Sequence, residues 1–244
     1  MYGIIGKPLI HSFSPKYFND LFGQLRLNEK YLAFPLQKIS EFPNLLIEQP
    51  DLKGLNVTIP YKETIMPFLD ELDEIAQAVN AVNCIKIKNG KLKGFNTDTI
   101  GFSITLKPLL KIQHHKNALI LGTGGASKAI AFALKQMNIH YKFVSRTKKE
   151  NNFSYADLSR EVIQQHTLII NTTPLGTSPQ TDLFPEIPYQ FLTKEHLLYD
   201  LVYNPEQTKF LEKAITQGAT IKNGHEMLIA QADASWEIWK KDEL

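Results

Sequence analysis

The sequence predicts an α/β protein made of two α/β units. In the first part of the chain, short apolar runs alternate with helical patterns. After the polar stretch KIQHHKN, strand-like runs recur at Ala118–Leu121, Tyr141–Ser145, Thr167–Asn171 and Leu197–Asp200, separated by helices or loops. This βαβ rhythm implies a parallel sheet with right-handed crossovers. The segment NALILGTGGASKAIAFALKQM (Asn117–Met137) joins an apolar strand through Gly122, Gly124 and Gly125 to an alanine-rich helix. The two units meet in the helix after Asp98.

Each element has a local reason. Tyr2–Ile5 is a short apolar run and reads as a strand. Pro15–Leu25 reads as a helix, with Ser14 as N-cap and Pro15 at the first helical position, where a missing N–H costs nothing. Tyr31–Pro35 and Leu52–Ile59 are the next strands, and a helix is expected from Tyr61 to Leu69. In NCIKIKNGKLKGF (residues 83–95), residue character alternates around Asn89-Gly90, the signature of a tight hairpin. A helix follows from Thr97 to Leu110, and the last, amphipathic helix covers His225–Lys240.

Composition narrows the function. The chain has 244 residues, 43% of them hydrophobic, and a formal net charge of +2, which gives no reason to expect nucleic acid or an acidic membrane as partner. The single cysteine, Cys84, rules out an intrachain disulfide and fits a reducing, cytoplasmic setting. No apolar stretch approaches the length of a membrane span, and MYGIIGKPLIHS turns polar too early for a secretory signal. The final Lys241-Asp242-Glu243-Leu244 matches a retention signal but reads here as a charged, frayed helix end. The histidines and the cysteine show no metal-site spacing, and His114-His115 read as surface linker.

Four clusters can carry chemistry. The glycine turn lets backbone N–H groups at a helix N-terminus approach a pyrophosphate; its plainer role is tight packing, and Ser127 stands where the fingerprint has Gly or Ala. In H-S-F-S-P, Ser12 and Ser14 beside a helix start can hold a carboxylate, or can serve as a cap and a loop residue. In G-L-N-V-T-I-P-Y-K, Asn56 and Thr58 share one strand face, and Lys62 enters the expected helix. The positive helix end would lower its pKa toward a proton-transfer role; the alternative is a solvated lysine. In F-N-T-D-T-I-G, Asp98 is either an N-cap or a carboxylate near Lys62, with Asn83 at the edge of the preceding apolar run.

Taken in order, GIIGKPLIHSFSP, GLNVTIPYK, AVNCI, FNTD, LGTGGASKA, SRT, NTTPLG, DLVYNP and NGHEMLIAQA closely resemble the shikimate dehydrogenase family over nearly the whole chain. The resemblance implies reversible reduction of 3-dehydroshikimate to shikimate with NADPH, a chorismate-pathway step of aromatic amino-acid biosynthesis. It implies two α/β domains flanking a cleft: a substrate-binding domain (1–98 plus 224–244) and a Rossmann-like NADP-binding domain (99–223). It assigns the substrate carboxylate to Ser12 and Ser14, and further substrate contacts to Asn56, Thr58, Asn83, Asp98, Tyr203 and Gln231. Lys62 and Asp98 become the catalytic pair. Gly122, Thr123, Gly124, Gly125 and Ala126 become the pyrophosphate turn, with Leu201 and Gly224 near the nicotinamide. The implied partner is the small substrate alone, on a monomer or homodimer.

Cofactor choice is read at the end of the second strand of the glycine unit. Ser145, Arg146, Thr147 and Lys148 stand where an NAD site would carry an acidic residue, and they suit a 2′-phosphate. Departures from the family pattern are Phe18 for a usual histidine, Asn80 for a usual glycine, Cys84 for a usual threonine, and Glu150 where a second arginine is common. The rival readings are a quinate or dual quinate/shikimate dehydrogenase, a methylenetetrahydrofolate dehydrogenase of the same architecture, and a non-catalytic NADP-binding regulator. The arginine-containing loop weighs against the first, the paired serines and the Asn–Asp pocket against the second, and Lys62 with Asp98 against the third.

Overall fold

The structure, a computed structural model, describes residues 1–10, 12–147 and 152–243. It divides into two compact units, Met1–Thr97 with Ala232–Leu244, and Asp98–Gln231.

The first unit runs β1 (Tyr2–Gly6), α1 (Ser14–Gln24), β2 (Tyr31–Pro35), α2 (Phe42–Glu48), β3 (Gly54–Val57), β4 (Glu71–Leu72), α3 (Glu74–Val79), β5 (Cys84–Lys88) and β6 (Lys91–Phe95). The strands form one six-stranded sheet in the order β2-β1-β3-β5-β6-β4. β1 pairs in parallel with both β2 and β3, whereas β5 runs antiparallel to β3 and β6. The hairpin has Asn89 at φ 52° and Gly90 at φ 76°, two left-handed residues in a two-residue loop whose twist matches the strands it joins.

Side chains alternate across this sheet. Ile5, Leu55 and Val57 enter a core with Phe42, Leu45 and Ile85. Tyr2 and Ile4 enter the opposite one with Phe18, Phe22, Tyr31 and Trp239. Gly54 is fixed by close approach, because a Cβ there would lie 2.4 Å from Trp239 Nε1. That indole donates to the Ile85 carbonyl at 3.0 Å.

The second unit contains α4 (Asp98–Leu106), β7 (Asn117–Leu121), α5 (Gly125–Gln136), β8 (His140–Ser145), β9 (Phe153–Ser154), α6 (Arg160–Gln165), β10 (Leu168–Asn171), β11 (Leu197–Asp200), α7 (Lys209–Thr216) and β12 (Thr220–Lys222). The last helix, α8 (His225–Lys240), begins here and ends in the first unit. The sheet is parallel throughout, in the order β12-β11-β10-β7-β8-β9. Strand order reverses between β7 and β10, the switch point where open α/β sheets bind ligands beyond their strand C-termini. Both faces are covered: Ala118 and Ile120 pack with Phe102, Ile130 and Leu134, while Leu119 and Leu121 pack with Ile163, Phe210 and Leu211.

Several elements differ from expectation, each for a local reason. Ser14 is not the N-cap: Phe13 already has helical φ/ψ, and its carbonyl accepts from Tyr17 N–H, so the helix begins one residue early. No α-helix forms over residues 61–69, where turns lead into a 3-10 segment at Met66–Phe68. The Lys62 carbonyl is taken by Val82 N–H at 2.7 Å, and Pro67 has no N–H to offer Glu63. The expected helix after Asp98 ends at Leu106 and continues as a 3-10 turn through Leu109. The domain boundary expected before α8 falls inside it, because Met227 belongs to the second unit's core.

His115 is buried rather than linker, its Nδ1 accepting from Lys111 N–H at 3.0 Å. α8 ends at Lys240, and residues 241–243 beyond it are exposed and non-helical. Buried Lys86 on β5 donates to the Ile238 carbonyl, one of those a helix end leaves open, and to the carbonyls of Lys241 and Glu243 past the helix.

Candidate active site

Topology alone gathers the first unit's polar residues. The parallel strands β1 and β3 end at the same sheet edge, and the antiparallel pairing Asn56↔Cys84 brings the start of β5 there. The pairing Cys84↔Phe95 adds the end of β6. The loops leaving this edge carry Ser12 and Ser14 after β1, Thr58 and Lys62 after β3, Asn83 before β5 and Thr97 after β6. Thr58 packs its methyl against Gly6, where an added Cβ would lie 2.3 Å from it.

A buried hydrogen-bond network ties this edge together. Tyr31 OH donates to Asn56 Oδ1 at 2.7 Å, and Asn56 Nδ2 donates to the Asn83 carbonyl at 3.2 Å and to Ser235 Oγ at 3.0 Å. Ser235 Oγ also meets Thr97 Oγ1 at 3.2 Å. Thr97 N–H donates to Asn83 Oδ1 at 2.7 Å, and Asn83 Nδ2 returns a bond to Thr97 Oγ1 at 3.0 Å. Asn56 therefore has both N–H groups and its oxygen engaged within the unit. Its evident work is to hold the Asn83 backbone and the end of α8 in register. Asn56→Ala leaves buried partners unpaired and is expected to lower unfolding free energy by about 2 kcal/mol or more. Urea denaturation measures this, and an unchanged curve would remove the network from the account.

Lys62 is partly buried, and its backbone is pinned by the bond from Val82. The helix expected to influence its amine is not formed among the described residues 61–69. Ser14, rather than capping α1, hydrogen-bonds the fully buried Tyr31 phenol, whose pKa burial pushes well up. Phe18 stacks on the Tyr31 ring at 4.6 Å and 12°, so this aromatic supports the phenol that bonds Asn56. Cys84 is buried beside Ser235 and Trp239, and burial pushes its thiol up to about 12. Asn80 closes α3 in the left-handed conformation (φ 56°), where asparagine is the usual substitute for glycine.

In the second unit, Gly122 turns the chain at φ 109°, a conformation open to glycine. Gly124 sits just before α5 in extended conformation, and a Cβ on it would meet nothing within 4 Å. The protein's own packing thus does not require glycine there; a ligand laid on the backbone would. Gly125 and Ala126 open α5, whose first N–H groups have no intrahelical acceptor. Ser127 is buried and donates back to the Gly124 carbonyl at 2.7 Å, so its hydroxyl stabilises the turn from inside. Thr123 is exposed beside the turn.

β8 ends at Ser145, whose hydroxyl donates to the Thr147 carbonyl at 2.5 Å and shapes a loop carrying exposed Arg146 and Thr147. Lys148 and Glu150 lie outside the described residues. Leu201 and Gly224 are brought together: a Cβ on Gly224 would lie 2.2 Å from the Leu201 carbonyl oxygen. Asp98 is buried at the first position of α4. Tyr203 follows β11 half-buried, and burial raises its phenol pKa. Gln231 is buried on α8 and donates to the Leu228 carbonyl at 2.8 Å.

Sequence reasoning missed Thr97, Tyr31, Ser235, Asn171 and Asp200. A signal existed for Ser235, four residues after Gln231 and four before Trp239 on one helical stripe. Asp200 and Asn171 looked like the polar ends of apolar strands. In the structure they are fully buried and bonded to each other.

The fold and these two sites define a two-unit α/β protein with a polar sheet edge in one unit and a dinucleotide-type glycine turn in the other. Residues 4–85 match the family model described as the shikimate dehydrogenase substrate binding domain. The chain is 41% identical to the shikimate dehydrogenase (NADP(+)) of Methanococcus maripaludis, with 97% of this chain and 90% of that protein covered. Among solved structures, shikimate dehydrogenase from Aquifex aeolicus has a TM-score of 0.87 at 35% identity, covering 100% of this chain and 93% of that one. Shikimate 5-dehydrogenase from Thermus thermophilus, in complex with NADP(H) and shikimate, has a TM-score of 0.85 at 30% identity, covering 98% and 92%. The chain belongs to the shikimate dehydrogenase family.

Proposed function

We propose that the protein is an NADP-dependent shikimate dehydrogenase, interconverting 3-dehydroshikimate and shikimate, a small-molecule oxidoreductase of the cytoplasm. The observation that carries this reading is the convergence of Ser14, Thr58, Asn83 and the Lys62 turn at one sheet edge, in a chain that also has an open glycine turn before α5.

The residues divide the work. Hydroxyls of Ser12 and Ser14 hold the substrate carboxylate. Thr58 and the amide of Asn83 hold ring hydroxyls, with Asn56 keeping Asn83 in place. When bound, NADPH supplies the hydride that converts the ketone carbon to a carbinol. The Lys62 ammonium stabilises the negative charge that develops on the oxygen and gives it a proton; in the oxidation direction the neutral amine takes that proton away. The Asp98 carboxylate orients the same hydroxyl and the lysine. Tyr203 and Gln231 complete the substrate contacts.

The glycine turn and α5 hold the pyrophosphate through backbone N–H groups. Arg146 presents a planar fork to the 2′-phosphate at the end of the unit's second strand. Leu201 and Gly224 face the nicotinamide.

Steady-state turnover with shikimate and with quinate, each with NADP⁺ and NAD⁺, tests both halves of the reading. The highest kcat/KM is expected for shikimate with NADP⁺. Faster oxidation of quinate would make the protein a quinate dehydrogenase, and a preference for NAD⁺ would overturn the role given to Arg146.

A further inference from the structure

Asp200 is the last residue of β11 and is wholly buried. Its neighbour across the parallel pair is Asn171, the last residue of β10, and Asn171 Nδ2 donates to Asp200 Oδ1 at 2.9 Å. The same oxygen accepts from Val202 N–H at 3.0 Å, and Oδ2 accepts from Thr208 Oγ1 at 2.6 Å. Thr208 is in turn the N-cap of α7. Burial pushes the carboxyl up to about 6, with these three bonds pulling the other way. Its hydrogen-bond partners among the described residues are all neutral, an expensive way to hold a carboxylate inside a protein.

What the carboxylate joins explains why it is kept. On one side, Asn171 Oδ1 accepts from Thr173 N–H at 3.0 Å and from Thr173 Oγ1 at 2.6 Å. The adjoining Thr172 donates through N–H and Oγ1 to the Leu121 carbonyl, the last residue before the glycine turn. Thr172 Oγ1 also stands 2.8 Å from where a Cβ on Gly122 would be. On the other side, Leu201 N–H donates to the Asn171 carbonyl at 3.0 Å, and Gly224 N–H donates to the Val202 carbonyl at 3.1 Å. One unbroken chain of bonds and contacts therefore runs from Gly122 to Gly224 and passes through Asp200.

We propose that Asp200 is a positioning residue for the dinucleotide: it clamps the loops after β10 and β11, so that the glycine turn and the Leu201–Gly224 backbone are held at one fixed spacing. The proposal rests on the functional reading above, because it takes those two places as the pyrophosphate and nicotinamide ends of one ligand. It assigns no chemistry to Asp200 itself. An asparagine can reproduce the clamp without the charge, its oxygen accepting from Asn171 and Val202 and its amide donating to Thr208.

The test measures NADPH dissociation constants by fluorescence and KM for shikimate in wild type, Asp200→Ala, Asp200→Asn and Thr173→Val, each below its unfolding temperature. Asp200→Ala is expected to bind NADPH about tenfold or more weakly, the scale of lost hydrogen bonds to a charged group, with KM for shikimate unchanged. Asp200→Asn should recover most of that affinity. Thr173→Val, which removes the bond to Asn171 Oδ1 and the longer one from Leu175 N–H but leaves the carboxylate, should weaken NADPH about threefold; it decides the matter if Asp200→Ala does not fold. Wild-type NADPH affinity in folded Asp200→Ala, or in Thr173→Val, overturns the clamp. So does an equal loss of NADPH and shikimate affinity, which would mark a general structural role. A wild-type protein that neither binds NADPH nor oxidises shikimate would instead sink the functional reading itself.

Discussion

Lys62→Ala is expected to lower kcat for shikimate oxidation by about a hundredfold to ten-thousandfold, the range a positioned proton-transfer group supplies, while the NADPH dissociation constant stays within about twofold. The split follows from where the lysine sits. It belongs to the first unit, in the turn after β3, whereas the glycine turn and Arg146 belong to the second unit's sheet. On the proposed mechanism, removing the amine takes away a group for the substrate oxygen and leaves cofactor binding intact. Lys62→Arg sharpens the test. Arginine keeps a positive charge but does not give up its proton near neutral pH, so charge stabilisation survives and proton transfer does not. Turnover close to the alanine variant would assign the role to proton transfer; turnover close to wild type would assign it to charge alone. Combining Lys62→Ala with Asp98→Asn should cost little more than the lysine change by itself, because the proposed mechanism has both serve one hydroxyl. Normal turnover in Lys62→Ala would refute the mechanism.

The inner strands were legible in the sequence because buried strands are apolar runs, whereas the short edge strands β4, β9 and β12 left no such run and were not expected. Tyr31–Pro35 and Leu197–Asp200 match the observed strands at both ends, and the Asn89-Gly90 hairpin follows from two residues that tolerate positive φ. The failure at residues 61–69 is equally physical. A helix was expected there, but the Lys62 carbonyl goes to Val82, which comes close only after the chain has folded back. A bond to a distant partner leaves no local trace. Ser235 and Asp200 were missed for the same reason: the first matters because Asn56 lies opposite it, the second because β10 ends beside β11. Motif matching named the residues proposed to face ligands, and it passed over those that hold the surrounding backbone. Asn56 is named from the sequence as a substrate contact, yet the structure commits its amide to the protein itself.

Gly224→Ala should be the most damaging single methyl in the second unit. An added Cβ would stand 2.2 Å from the Leu201 carbonyl oxygen and 2.6 Å from its carbonyl carbon. Both contacts are to backbone, so no side-chain rotation relieves them. The loop cannot retreat cheaply, because Leu201 N–H is bonded to the Asn171 carbonyl and Val202 N–H to buried Asp200. Moving the other way disturbs the start of α8, where the Gly224 carbonyl accepts from Leu228 N–H at 2.9 Å. Overpacking of this kind typically costs about 1–3 kcal/mol. For a chain of this length, that lowers Tm by roughly 2–12 °C. Because the displaced backbone is the part assigned to the nicotinamide, NADPH affinity should fall together with Tm, and NADPH should protect the variant less against heat than it protects wild type. Thermal unfolding with and without NADPH measures both effects. A variant with wild-type Tm and undiminished protection by NADPH would show that the loop yields freely, and it would remove Leu201 and Gly224 from the cofactor site.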